Sequence, residues 1–289
     1  MRADLALALI ALIWGTTFVL VKRALEDVSP FLYLALRFTL AALVLAVFFH
    51  RRIRTGFGRE EYWVGLRVGA VLMLGYIFQT VGLQWTTPSK SAFLTGLYIV
   101  LVPFVNSLVY RCRPRLWEVA GASLAAIGMG LLSMQGESLS IGKGDLLTVG
   151  CAVAFAVHIV LLGHWAPEVG YESLSLLQIA GAAAVAVVAT PLVETPFVRW
   201  SPAVVVAIVV GAVLATAVAF VLQTWAQQRT TPGRAAVIFS LEPVFAWLVS
   251  WAVEGELLTA RAAAGAGLIL GGILLVELKP LFASRHPSQ

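Results

Sequence analysis

Charge is what this sequence has least of. Asp, Glu, Lys and Arg make up only 12% of its 289 residues, against about 25% in a soluble globular domain. With 60% of residues hydrophobic and a mean hydropathy of +0.91, the chain cannot cover a water-facing surface with polar groups. A soluble domain is excluded, and a polytopic membrane protein is left. Cysteine is scarce as well. The two cysteines, Cys112 and Cys151, fall in a short loop and in an apolar run, and their spacing suggests no disulfide, metal site or redox pair. Catalytic signatures are also missing: there is no G-x-S-x-G, no H-E-x-x-H and no G-x-x-x-x-G-K-[ST] loop to cradle phosphate. We therefore expect no enzyme, no cofactor and no metal. Without an ATP-binding segment, any solute movement must run downhill or on an ion gradient.

What the sequence does have is long apolar runs. A membrane-spanning helix needs about 20 mainly apolar residues, and ten stretches qualify. The first five are Leu5–Val21, Phe31–Phe49, Tyr62–Gln84, Ser91–Tyr110 and Trp117–Met134. The second five are Leu146–His164, Glu172–Leu192, Ala203–Ala226, Gly233–Val253 and Ala260–Glu277. The runs are continuous rather than alternating, which argues against a transmembrane β-barrel. The expected fold class is an all-α polytopic membrane protein with ten transmembrane helices. Asp4 sits where a signal peptide would be basic, and no A-x-A site follows the first run, so that run reads as a retained helix. With the N-terminus in the cytoplasm, Arg and Lys in the loops and at the ends of the runs divide twelve to six in favour of the cytoplasmic side, the bias of an N-in, C-in chain. Lys22 and Arg23, after the first run, locally favour the reverse.

One stretch occurs twice. Gln79–Lys90 reads QTVGLQWTTPSK and Gln223–Arg234 reads QTWAQQRTTPGR. Six of the twelve aligned positions are identical, where composition alone gives roughly one. The same 144-residue offset aligns Gly121, Ala122, Leu124, Gly128 and Leu131 with Gly265, Ala266, Leu268, Gly272 and Leu275. Five helices have been duplicated, and five is odd. The second copy must therefore enter the membrane from the other side, giving a 5+5 inverted-topology repeat such as alternating-access transporters use. The expected repeats are residues 1–140 (helices 1–5) and 141–289 (helices 6–10). Within the doubled stretch, Thr87 and Thr231 read as helix caps, with Pro88 and Pro232 in the first turn. Lys90 and Arg234 are expected to snorkel at the membrane surface.

The stretches ALIWGTTFVLVKRAL, SPFLYLALRFTLAALVL and SLEPVFAWLVSW resemble the EamA family of the drug/metabolite transporter superfamily, whose recurrent W-G, LRF and LEPV elements they carry. The resemblance covers essentially the whole chain as two EamA repeats. It implies a ten-helix exporter of small metabolites, often amino acids, in the bacterial inner membrane. It also implies a central cavity lined by helices 1, 3, 4, 6, 8 and 9.

The residues themselves point to candidate contacts inside the membrane. Four runs place an aromatic three residues before a polar group: Trp14/Thr17, Tyr76/Gln79, Phe155/His158 and Phe220/Gln223. That spacing puts both members on one helical face. The polar groups could bond a substrate's head while the rings meet its apolar body or a cation; the competing reading is interhelical packing. Tyr98 and Glu242 correspond in helices 4 and 9. Glu242 precedes Pro243 in mid-run, and an intramembrane carboxylate is by default a candidate for substrate or proton binding. Arg37 is expected to support internal carbonyls or carboxylates, Glu242 among them. The glycine runs of helices 5 and 10 invite close packing, either between the halves or between two molecules. The expected function is that of a secondary carrier exporting small amphipathic metabolites, amino acids first, by alternating access. An organic-cation or drug exporter and a channel-like facilitator are the alternatives. Expected partners are the small-molecule substrate, the lipid bilayer and protons as a candidate coupling ion, with no nucleic acid; the chain is expected to be a monomer or a homodimer.

Overall fold

The computed structural model describes residues 2–111, 113–133, 141–245, 248 and 259–283. Among these the regular structure is helical, apart from one isolated antiparallel bridge between Val28 and Val198. The first half runs α1 (Arg2–Gly15), α2 (Thr17–Ala24), α3 (Pro30–Phe48), α4 (His50–Thr55), α5 (Arg59–Leu83), α6 (Pro88–Gly96), α7 (Tyr98–Tyr110) and α8 (Leu116–Ser133). The second runs α9 (Lys143–Val169), α10 (Tyr171–Val193), α11 (Pro202–Ala212), a π-helical segment Val213–Val218, α12 (Ala219–Gln227), α13 (Pro232–Phe239) and α14 (Ala260–Ala283). Seven helical segments among the described residues are long and apolar enough to cross a membrane, and two apolar helices, Leu116–Leu131 and Ala263–Val276, are shorter. The far end of the expected run Gly233–Val253, the loop from Met134 to Ser140, and Cys112 lie outside the described residues.

Several boundaries follow from single residues. Thr87 Oγ1 accepts the backbone N–H of Lys90 at 3.2 Å, and Thr231 Oγ1 that of Arg234 at 3.3 Å. Each satisfies an orphan donor of a first turn that Pro88 or Pro232 opens. The fourth run is interrupted at Leu97, between α6 and α7, and α13 stops at Phe239, with turn residues Ser240 and Leu241 following. Pro243 explains the second interruption: its ring collides with the carbonyl four residues back, which belongs to Phe239. Pro103 lies inside α7, beyond the break at Leu97.

The halves meet along their helices. The glycine runs join the halves of one chain: α8 crosses α14, with Gly121 against Gly272 and Gly128 against Gly265. A methyl group on Gly121, Gly128 or Gly272 would strike the facing backbone or side chains. In the rest of the bundle α5 packs on α9 and α10, and α3 on α10.

Lys90 and Arg234 do not snorkel. Lys90 Nζ meets Asp145 Oδ2 at 2.6 Å, and an Arg234 guanidinium nitrogen meets Asp4 Oδ2 at 3.2 Å. Each pair ties the start of a broken run in one half to the first turn of the first long helix in the other. The pairs sit at opposite ends of the bundle, one at the face that carries Arg2, here the amino-terminal face, and one at the opposite face. For Lys90, an outward turn would leave the poorly hydrated Asp145 carboxylate without its cation, which is why that side chain turns inward.

Candidate binding cavity

Trp14 closes α1, and its indole Nε1 donates to the carbonyl of Ala215 at 2.9 Å. Ala215 lies in the π-helical segment, where the wider turn disturbs the regular i→i−4 ladder and offers carbonyls to outside donors. Arg37 of α3 reaches the same segment. Its Nε donates to Thr216 Oγ1 at 2.9 Å, and its Nη2 to the Ala215 carbonyl at 3.4 Å and to Tyr76 Oη at 3.3 Å. The guanidinium lies 4.7 Å from the centre of the Tyr76 ring. The expectation that Arg37 supports internal carbonyls is met by Ala215, whereas Glu242 is not among its ion-pair partners in the described residues. A carbonyl, two hydroxyls and a ring face share the guanidinium instead.

The four aromatics of the spaced pairs meet one another. Tyr76 packs edge-on against Phe155 at 5.2 Å and against Phe220 at 6.3 Å, and Trp14 is tilted on Phe220 at 5.7 Å. Their polar partners are held by chains of hydrogen bonds with a readable direction. Thr224 Oγ1 donates to the Phe220 carbonyl, so it accepts from Gln178 Nε2, which leaves Gln178 Oε1 to accept from His158 Nε2 at 2.9 Å. That order assigns the proton of the neutral imidazole to Nε2. Gln227 Nε2 donates to the Ile159 carbonyl at 2.9 Å, and Gln227 Oε1 accepts from Gln223 Nε2 at 3.0 Å. Gln79 Nε2 donates to Thr95 Oγ1 at 3.3 Å, and Thr17 Oγ1 turns back to the Trp14 carbonyl at 2.8 Å.

All ten candidate residues, Trp14, Thr17, Tyr76, Gln79, Tyr98, Phe155, His158, Phe220, Gln223 and Glu242, line one cavity. Tyr98 and Glu242 each come just after an interruption in a helical run. The space open to the centre of a water molecule is about 60 Å³, several times the ~10–15 Å³ that one water needs. The walls come from both halves of the chain, from α1, α2, α3, α5, α6, α7, α9, α12 and the helical residue Glu242 beyond the turn that follows α13.

A family model described as the EamA-like transporter family matches residues 1–134 and again 142–278. This chain belongs to the EamA-like transporter family. It is 37% identical over 96% of its length to an "uncharacterized transporter" of Archaeoglobus fulgidus, covering 86% of that protein. It is 22% identical to the "uncharacterized transporter YoaV" of Bacillus subtilis, over 95% of this chain and 96% of that one. A solved crystal structure superposes with a TM-score of 0.78 at 22% identity, covering 96% of this chain and 97% of the other, which shows the shared fold. The chain is thus a membrane transporter of the EamA-like family, with two matched repeats.

Beside the ten, the cavity of this EamA-like chain is lined by Arg37, Thr95 and Thr80 together with apolar neighbours. Thr95 carried a readable signal, a hydroxyl residue one turn before Tyr98 in an apolar run. Arg37 is legible as a cation inside the second run, but its place on the cavity wall depends on the distant π-helical segment. Gln178 and Gln227, which orient His158 and Gln223, carry no local pattern that marks them.

Proposed function

We propose that this transporter is a secondary carrier that exports small amphipathic metabolites, amino acids foremost, across the bacterial inner membrane by alternating access. The chain is built in this reading as a 5+5 inverted repeat, residues 1–140 and 141–289, with both termini in the cytoplasm, and the ten cavity residues bind the substrate. The observation that carries it is the pair of ion pairs at opposite ends of the bundle. Lys90–Asp145 and Asp4–Arg234 each link one half to the other, and the four residues correspond at offsets of 144 and 141. A carrier opens to one side at a time, so it needs one separable junction at each end. A channel needs none. The discontinuous runs bearing Tyr98 and Glu242 fit the same scheme, since transporter sites are commonly formed where helices break near the midplane.

Flux in proteoliposomes tests the reading. Amino-acid uptake should saturate, and unlabelled substrate inside should accelerate entry of labelled substrate. Linear, non-saturating flux without counterflow would identify a facilitated pore. Cysteine labelling adds the orientation: Arg51–Arg59 should react from the cytoplasm and Gln135–Gly144 from the other side.

A further inference from the structure

Gln223 is 1% exposed and lines the cavity, yet its Oε1 has no hydrogen-bond partner among the described residues. The amide cannot simply be turned over to cure this. Ile159 offers a backbone carbonyl, which only accepts, so Gln227 must present Nε2 to it and Oε1 to Gln223. Gln223 must then spend its own Nε2 on Gln227, and its bare oxygen is left over. A buried acceptor without a donor is costly, and few native side chains are left so. The cavity adds a second acceptor group, the carboxyl of Glu242, which makes no ion pair with any described residue. Aromatic walls from Trp14 and Phe220 complete a surround that favours a cation. The cavity's lining cation, Arg37, is engaged with Thr216, seven residues before Gln223 on the same span, roughly 10 Å along a helix.

We propose that Gln223 Oε1 and Glu242 form an ammonium-binding subsite in this cavity. It takes the cationic nitrogen of a primary amine or amino acid, and the chain Ile159–Gln227–Gln223 holds the acceptor in place. This deepens the carrier reading and rests on it for the cavity's purpose. The subsite selects for a hydrogen-bond-donating cation, whereas an anion of the same length has no N–H to give the bare Gln223 oxygen.

Three probes of nearly equal length separate the groups: L-norleucine, hexanoate, which lacks only its ammonium, and pentylamine, which lacks only its carboxylate. Thermal stabilisation of the purified full-length protein is read with each. Norleucine and pentylamine should stabilise and hexanoate should not. Gln223→Leu should weaken the two amines about tenfold or more, the scale of a hydrogen bond lost to a charged group, and Gln223→Glu, which keeps an acceptor, should retain them. Hexanoate binding as well as norleucine overturns the subsite while leaving amino acids as cargo, and the wild-type comparison decides this even if a variant does not fold. Amine affinity unchanged in a folded Gln223→Leu also overturns it. Pentylamine binding without norleucine supports the subsite and overturns the amino-acid reading, and no stabilisation by any probe overturns both.

Discussion

The two inter-half corners of this transporter are written with nearly the same residues and buried very differently. At the opposite face, Lys90 and Asp145 meet at 2.6 Å with side chains 11% and 6% exposed. Asp145 also accepts Thr86 Oγ1 at 2.7 Å and the Gly142 N–H at 2.8 Å. Lys22, at the end of α2, reinforces that corner by donating to the carbonyls of Leu83, Gln84 and Thr86 at 2.6, 3.2 and 3.1 Å. The Leu83 and Gln84 carbonyls end α5, where a cation is favoured by the helix dipole. At the amino-terminal face, Arg234 and Asp4 meet at 3.2 Å with side chains 35% and 22% exposed. A duplicated motif therefore places equivalent groups at both ends, and the burial of each end decides what the contact contributes. Water screens the amino-terminal pair more, so that contact is the weaker of the two.

Lys90→Ala should have the largest effect. It leaves Asp145 buried without its cation, a loss of about 3 kcal/mol, the low end for breaking a buried pair, since the bonds from Thr86 and Gly142 remain. Thermal unfolding of the purified protein measures it, and a reporter cysteine at Thr95 should become more reactive to reagents entering from that face. A loss no larger than that of Arg234→Ala would break the comparison.

The caps should show the opposite behaviour, sameness. Thr87 and Thr231 accept at nearly identical distances of 3.2 and 3.3 Å, so each alanine variant should cost about 1 kcal/mol. Equal shifts in unfolding would show that local geometry is conserved between the corners while burial is not. Unequal shifts would mean that the difference already begins in the first turn.

Arg234→Ala should have the smallest effect, below about 1 kcal/mol as for exposed pairs, and added salt should shrink it further. A salt-insensitive loss of several kcal/mol would place that pair out of reach of water.

The cavity residues were legible for a specific reason. A polar group three residues after an aromatic is conspicuous because the pair recurs in four apolar runs and can be seen within a single helical turn. Trp14/Thr17, Tyr76/Gln79, Phe155/His158 and Phe220/Gln223 could be read off in this way, and the structure gathers them around one space. The corners were misread because Lys90 and Arg234 looked like ordinary interfacial cations. Nothing local shows that Asp145, 55 residues away, stands opposite Lys90. Arg37 is the same case at longer range, with its Thr216 partner 179 residues away. The π-helical segment that positions Thr216 has no breaker within it, and so gives no punctuation to read.

By itself the sequence determined the membrane as solvent, the helical runs, the doubled motif with its caps, and the faces that carry polar groups. Each of these depends on composition or on neighbours within a turn or two. Only the tertiary structure decided which carboxylate each corner cation meets, that the glycine runs join halves rather than molecules, and that Gln223 is left with an unspent oxygen. Those outcomes depend on how helices far apart in sequence cross, and on which hydrogen-bonding groups the crossing leaves without a partner.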